Sequence, residues 1–147
     1  MNYDDIEILF AEDSIDDATL TIRALKKSGF TNKLIHVKDG AEALDFLYCR
    51  GIYSKRNPKA YPKLLLLDLK MPKVSGLQVL EKVKSDSALK FIPVVILTSS
   101  QEDPDIAKCY SLGANSYIVK PVDSTNFFQA IKDMGMYWML LSQPPIQ

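Results

Sequence analysis

The strongest constraint on the fold is a short apolar run that ends in an acid. Four consecutive leucines, Leu64–Leu67, stand between Pro62 and Pro72 and are followed directly by Asp68. An apolar run of this length between prolines is typical of a strand buried on both faces of a parallel sheet. In open sheets of that kind ligands bind outside the carboxyl ends of the strands, which is where Asp68 would lie. A helix cap or a turn residue is the alternative interpretation of this aspartate.

Strand and helix patterns alternate five times along the chain. The predicted strands are residues 6–11, 34–37, 64–67, 92–97 and 116–119. The predicted helices begin near Ser14, Asp39, Ser75, Asp103 and Asp123, and the second and last of them end near Gly51 and Leu141. This alternation predicts an α/β fold, a flavodoxin-like doubly wound sheet of five parallel strands in the order 2-1-3-4-5 with five helices. In that order the first and third strands are neighbours, so we expect a crevice beside their carboxyl ends.

Length and charge exclude several classes of function. The 147 residues suit one domain over 1–147, with a core at about 5–141 and a frayed tail at 142–147. Eighteen basic and eighteen acidic residues cancel, which argues against a nucleic-acid partner. The chain shows neither an apolar stretch of bilayer length nor a signal-peptide pattern. We therefore expect no membrane partner and a cytoplasmic location.

Three features that resemble functional sites receive structural interpretations. Cys49 and Cys109 lie in predicted helices and form neither a disulfide framework nor a zinc pattern. His36, the only histidine, lies in the second predicted strand and is interpreted as structural. A solvated loop is favoured over a surface that recognises an acidic partner for the connection 53–63, which carries Lys55, Arg56, Lys59 and Lys63.

Chemically active side chains follow four of the predicted strands. Glu12 and Asp13 follow the first strand, Asp68 the third, Thr98 the fourth and Lys120 the fifth. Because the carboxyl ends of parallel strands meet at one edge of a sheet, these groups should converge there. Three carboxylates at close range repel one another, so some must take up protons or bind a cation.

The expected donors are oxygens, which favours Mg²⁺ as the cofactor. The predicted ligands are the carboxylates of Asp13 and Asp68, that of Glu12 directly or through water, and the backbone carbonyl of Lys70. A carboxylate can also act as a nucleophile and form an acyl phosphate. Mg²⁺, the Lys120 ammonium and the Thr98 hydroxyl would then hold the phosphoryl oxygens. The residues therefore predict that Asp68 accepts a phosphoryl group, with no evident base for fast turnover.

Four short motifs at the predicted strand ends carry a resemblance to a known family. They are Phe10–Ser14, Leu66–Pro72, Leu97–Ser100 and Tyr117–Pro121. In order and spacing they resemble the signatures of response-regulator receiver domains from two-component signalling, over roughly residues 5 to 141. The resemblance implies that Asp68 receives its phosphoryl group from a sensor histidine kinase or a phosphotransfer protein. It also implies a phosphoprotein that signals by protein contact and is not an enzyme.

The same resemblance gives roles to other residues. Thr98 would be the switch hydroxyl, Tyr117 the aromatic switch and Lys120 the phosphate contact, with a cis peptide bond before Pro121. Phosphorylation would draw Thr98 toward the phosphoryl group, and Tyr117 would turn into the vacated space. The long connection before the third strand makes the chain most similar to small stand-alone response regulators paired with bacterial phytochrome-type kinases.

Two other classes of function compete with this interpretation. A phosphatase of the haloacid-dehalogenase type also uses an aspartate nucleophile, but that family has a second aspartate where this chain has Lys70. A phosphate-independent adaptor is the other alternative, and the intact acids Glu12, Asp13 and Asp68 argue against it. Because only six residues follow Leu141, no DNA-binding output module is expected.

The last predicted helix carries more apolar side chains than one packed face accommodates. Positions 127, 131, 134, 138 and 141 form a stripe that would pack on the sheet. The surplus predicts an interaction surface for a homodimer or a kinase, and an additional packed turn is the alternative. The surface is assigned to Tyr137, Trp138, Met139 and Leu140.

Overall fold

A computed structural model describes residues 2–30 and 32–135. The strands are β1 (Ile8–Ala11), β2 (Leu34–Val37), β3 (Leu64–Asp68), β4 (Val94–Thr98) and β5 (Ser116–Val119). The α-helices are α1 (Ile15–Lys27), α2 (Gly40–Leu47), α3 (Gly76–Ser85), α4 (Asp105–Ser111) and α5 (Ser124–Asp133). Short 3-10 helices occupy Tyr3–Asp5 and Gly51–Tyr53. Within the described residues, no helix has both the length and the apolarity needed to cross a membrane.

The five strands form one parallel sheet in the order β2-β1-β3-β4-β5. This order confirms the predicted fold class. Ile8 of β1 lies opposite Leu34 on one side and Leu64 on the other, so β1 and β3 are neighbours. The residues that follow β1 therefore lie beside Asp68 at the carboxyl edge of the sheet.

The apolar run in β3 separates two hydrophobic cores, one on each face of the sheet. Leu65 and Leu67 join the core that faces α2 and α3, whereas Leu64 and Leu66 join the core that faces α1 and α5. All four leucines have no exposed surface. Each buried leucine side chain contributes roughly 1.5–3 kcal/mol, because successive strand residues point to opposite faces and all reach a dry environment.

Four helices begin at the predicted caps, Ser14, Asp39, Ser75 and Asp123, whereas α4 begins at Asp105 after Pro104 and not directly after Asp103. The Ser75 and Asp123 side chains each accept a hydrogen bond from the third helical N–H, and the side-chain oxygens of Gln78 and Asn126 accept from the N–H of the cap residue. The Ser14 hydroxyl accepts a hydrogen bond from the Asp17 N–H at 3.2 Å. These bonds satisfy backbone donors that the first turn of a helix leaves free.

Some element boundaries differ from the sequence-based expectation. β1 and β4 each begin two residues later than predicted. In β1 the Ile6 N–H bonds to Tyr3 O at 3.4 Å and closes the first 3-10 turn. In β4 Pro93 has no N–H to donate to the neighbouring strand. The prediction that α2 ends near Gly51 is wrong. Cys49 adopts φ +56° and the Arg50 N–H bonds to Asp45 O at 2.8 Å, so the helix ends at Leu47 and Cys49 lies beyond it.

The prediction that the last helix runs to about Leu141 is also wrong. α5 ends at Asp133, and Gly135 adopts φ +69°, a backbone conformation that stops a helix at little cost in glycine. Phe127 and Ile131 are buried as expected, and Met134 packs against the same core. The predicted interaction surface, Tyr137–Leu140, lies outside the described residues and stays a prediction.

The basic connection before β3 is not a solvated loop at Arg56. The Arg56 side chain donates hydrogen bonds to the carbonyls of Phe46 and Ala60, and its guanidinium carbon lies 4.0 Å from the centroid of the Phe46 ring. Only 6% of this residue is exposed. Arg56 therefore holds the connection before β3 against α2 by hydrogen bonds, and it is not available to an acidic partner.

We expect Arg56→Ala to lower the free energy of unfolding by roughly 2–3 kcal/mol. The substitution leaves two carbonyls short of a donor and removes the stacked cation, each of which costs about 1 kcal/mol or more. Urea unfolding measures the loss. Lys55→Ala, which removes an exposed neighbouring cation, should change stability by less than about 0.5 kcal/mol. Equal losses in the two variants would contradict a specific role for Arg56.

Candidate functional site

Residues from four strands meet at the carboxyl edge of the sheet. Asp68 is the last residue of β3, and Thr98 is the last residue of β4. Glu12 and Asp13 directly follow β1, and Lys120 directly follows β5. One oxygen from each of the three acids lies within 4.8 Å of the others. Asp13 is exposed, whereas Glu12 and Asp68 are buried, so the cluster opens to solvent on one side.

The backbone and one carboxylate oxygen of Glu12 are held by hydrogen bonds. Its N–H donates to Val37 O at 3.0 Å, and its carbonyl accepts from His36 Nε2 at 2.7 Å. Its Oε2 accepts from the Ser14 N–H at 3.2 Å. Its other oxygen, Oε1, is buried and lies 2.7 Å from the Lys120 ammonium. That oxygen has lone pairs available to a cation, and with Asp13 and Asp68 it provides the hard donor set that Mg²⁺ prefers.

Lys120 is the cation that the described residues place among these acids. Its ammonium lies 2.7 Å from Glu12 Oε1, 3.1 Å from Asp68 Oδ1 and 3.1 Å from Asp17 Oδ2. Burial alone would lower the pKa of Lys120, but the contacts with Glu12 and Asp68 outweigh it and raise the pKa. The ammonium is therefore charged throughout the physiological pH range.

Burial and the neighbouring Glu12 carboxylate raise the pKa of Asp68 to about 7, against the opposing effect of Lys120. The physical cause is that two buried carboxylates share one ammonium, which compensates only part of their charge. Near neutral pH the Asp68 carboxyl group is therefore partly protonated, and a bound cation could replace that proton. The deprotonated Asp68 carboxylate can also act as a nucleophile, and the cluster around it opens to solvent at Asp13.

The loop after Asp68 is packed tightly against it. A Cβ atom at Gly76 would lie 2.1 Å from Asp68 O, and one at Gly40 would lie 2.0 Å from Val74 O. Both positions therefore require glycine for close backbone approach. The Lys70 side chain pairs with Asp103 at 3.3 Å. The backbone carbonyl of Lys70 stays a predicted Mg²⁺ ligand.

Thr98 and Tyr117 lie on the β4–β5 side of the site. Thr98 is 1% exposed, and its hydroxyl donates to Ser100 O at 3.2 Å. Tyr117 is half-buried and meets Tyr110 edge to face, with ring centroids 6.0 Å apart. A surface cavity of about 610 Å³ lies beside the two tyrosines, between β5 and α5. The peptide bond between Lys120 and Pro121 is cis.

Sequence reasoning missed two acids at this edge. The Asp17 N–H donates to the Ser14 cap, and its carboxylate accepts a hydrogen bond from Lys120. Asp103 was expected only as a helix cap; it does accept from the Asp105 N–H, and it also pairs with Lys70.

Comparisons with known proteins give a consistent result. A family model for the response regulator receiver domain matches residues 8–132. Among curated proteins, response regulator Rcp1 of Synechocystis sp. is 37% identical over 132 residues, which cover 90% of this chain and 88% of Rcp1.

Two solved structures are similar over most of their length. The bacteriophytochrome response regulator RtBRR is 49% identical with a TM-score of 0.85, over 94% of this chain and 82% of that one. The Mn²⁺-bound form of Rcp1 is 35% identical with a TM-score of 0.73, over 95% of this chain and 98% of that one. The resemblance stated from the four motifs is thereby confirmed.

Proposed function

We propose that this chain, which belongs to the family of response regulator receiver domains, accepts a phosphoryl group on Asp68 from a sensor histidine kinase or a phosphotransfer protein. The observation that carries the proposal is the position of Asp68. It ends the central strand, lies within 4.8 Å of two further acids and is 3.1 Å from a lysine ammonium. The phosphorylated protein acts in the cytoplasm as a signal, and its output is contact with another protein.

In the proposed reaction, an Asp68 oxygen bonds to the phosphorus of a phosphohistidine. The phosphorus–nitrogen bond breaks at the same time, and its electron pair returns to the imidazole. The Lys120 ammonium neutralises part of the charge on the phosphoryl oxygens. His36 is the only histidine of the chain and bonds to the Glu12 carbonyl, so the phosphohistidine belongs to a partner.

Three acids and one backbone carbonyl form the proposed Mg²⁺ site. The acids Glu12, Asp13 and Asp68 offer oxygens close enough for one ion, and the Lys70 carbonyl is the fourth proposed ligand. When bound, Mg²⁺ neutralises negative charge on the phosphoryl group and orients it. A solved relative, the Mn²⁺-bound form of Rcp1, supports a divalent ion in this family.

The proposed response begins at Thr98. Its hydroxyl exchanges the bond to Ser100 for one to a phosphoryl oxygen, and Tyr117 turns into the space that Thr98 leaves. The two tyrosines and the cavity beside them then present a different surface to a partner. A change from mostly inactive to mostly active requires about 5 kcal/mol of differential stabilisation, which several new charged hydrogen bonds can supply.

Mass spectrometry of the intact protein tests the proposal. After incubation with Mg²⁺ and acetyl phosphate, we expect the wild type to gain one phosphoryl group and Asp68→Asn to gain none. Asp16→Asn makes the same charge change at an exposed acid on α1 and should be labelled like the wild type. Labelling of Asp68→Asn would contradict the assignment of the acceptor. No labelling of the wild type by either acetyl phosphate or a phosphorylated histidine kinase would contradict the function.

A further inference from the structure

Lys120 has a third carboxylate partner that lies outside the proposed metal site. Asp17, in the first turn of α1, accepts a hydrogen bond from the ammonium at 3.1 Å. Its side chain is 43% exposed, whereas the other two partners, Glu12 and Asp68, are nearly fully buried. Asp17 therefore holds the lysine from the solvent side of the cluster, on a different element from either buried acid.

The other two partners of Lys120 are shared with the metal. Glu12 and Asp68 belong to the group of acids that could hold an ion, and the ammonium contacts both of them. The ammonium contacts Glu12 Oε1 and Asp68 Oδ1, so a divalent cation that coordinates these two acids would lie close to it and repel it. Binding of the ion would therefore weaken both of these contacts, whereas Asp17 lies outside the group of acids that could hold the ion.

The geometry points to Asp17 as a positioning residue that retains the Lys120 ammonium when a divalent cation takes Glu12 and Asp68. This inference rests on the proposed function, because it concerns the same metal site. The backbone N–H of Lys120 donates to Thr98 O at 2.7 Å, so its backbone is held in place while its side chain can change partners. With Asp17 present the lysine has a partner in both the metal-free and the metal-bound site. Without Asp17 it competes with the ion for the ion's own ligands.

Metal affinity of the full chain tests the inference without any phosphorylation. Mn²⁺ binding, followed by electron paramagnetic resonance after removal of bound ions with a chelator, is compared in the wild type, Asp17→Asn and Asp16→Asn. We expect Asp17→Asn to weaken Mn²⁺ binding about five- to tenfold, the usual size of a coupling between groups in contact. Asp16→Asn removes the same charge from the same helical turn and should weaken binding less than about twofold.

A double-mutant cycle separates positioning from simple attraction between Asp17 and the ion. In a Lys120→Met background, Asp17→Asn should no longer weaken Mn²⁺ binding more than Asp16→Asn does, because there is no ammonium to retain. An equal loss with and without Lys120 would overturn the inference in favour of through-space attraction. An unchanged affinity in Asp17→Asn would overturn it outright. A wild type that binds no Mn²⁺ would instead overturn the metal site of the proposed function.

Discussion

Gly76→Ala should be among the most destabilising single substitutions in this chain, lowering the free energy of unfolding by about 3 kcal/mol or more. The added Cβ would lie 2.1 Å from Asp68 O and 2.9 Å from the Cα of Leu69. Both are backbone atoms at the end of the central strand, and the Leu69 N–H is bonded to Leu97 O of β4 at 2.9 Å. The clash therefore cannot be relieved by a side-chain rotation and must displace the strand end that carries Asp68.

Urea unfolding compares Gly76→Ala with Gly29→Ala, a matched change elsewhere in the chain. A Cβ at Gly29 would meet nothing within 4 Å, but Gly29 has φ +86°, so its substitution costs about 1–2 kcal/mol of backbone strain. We expect the loss at Gly76 to be clearly larger and to be accompanied by loss of divalent-ion binding, since the carboxylates no longer align. Similar losses for the two variants, with ion binding intact at Gly76, would contradict the close packing of this loop.

The layout of the site could be predicted because it follows from topology. The apolar run before Asp68 identified a central strand, and the alternation of elements fixed which strand ends are neighbours. Given that order, Glu12, Asp13 and Lys120 must reach the same edge as Asp68, whatever the details of packing. The caps at Ser75 and Asp123 were predictable for a related reason, since a cap bond spans only three residues.

The features that could not be predicted depend on contacts between distant residues or on backbone strain. Arg56 is buried because it reaches the carbonyls of Phe46 and Ala60, and a run of basic residues carries no sign of such partners. α2 ends at Leu47, and Cys49 beyond it takes a positive φ, which is uncommon outside glycine and so has no sequence signal. Asp17 could serve its own helix or a distant lysine, and only the fold decides between them.

Asp68→Asn is expected to stabilise the metal-free protein above about pH 7, although it removes the proposed phosphoryl acceptor. Burial and the Glu12 carboxylate raise the pKa of Asp68 from 3.8 to about 7. Between about pH 4 and pH 7 the native state thus holds a proton that the unfolded chain has released. The free energy of unfolding therefore falls as pH rises through this window and is flat above it. A rise of about three in this pKa corresponds to at most about 4 kcal/mol in the free energy of unfolding. We therefore expect Asp68→Asn to gain about 2–4 kcal/mol of stability over the wild type.

Urea unfolding of chelated protein near pH 5 and near pH 8 measures this effect. The wild type should lose stability between the two conditions, and Asp68→Asn should lose much less. The pKa values of Glu7 and Asp86 are lowered, so both acids are ionised in the native state throughout this window and contribute the same pH dependence to both proteins. Added Mg²⁺ should restore the wild type near pH 8, by about 2.7 kcal/mol at a hundredfold excess over its dissociation constant, and should restore Asp68→Asn far less. Parallel pH profiles for the two proteins would mean that Lys120 fully compensates the buried carboxylates, and that a cation relieves no repulsion at this edge of the sheet.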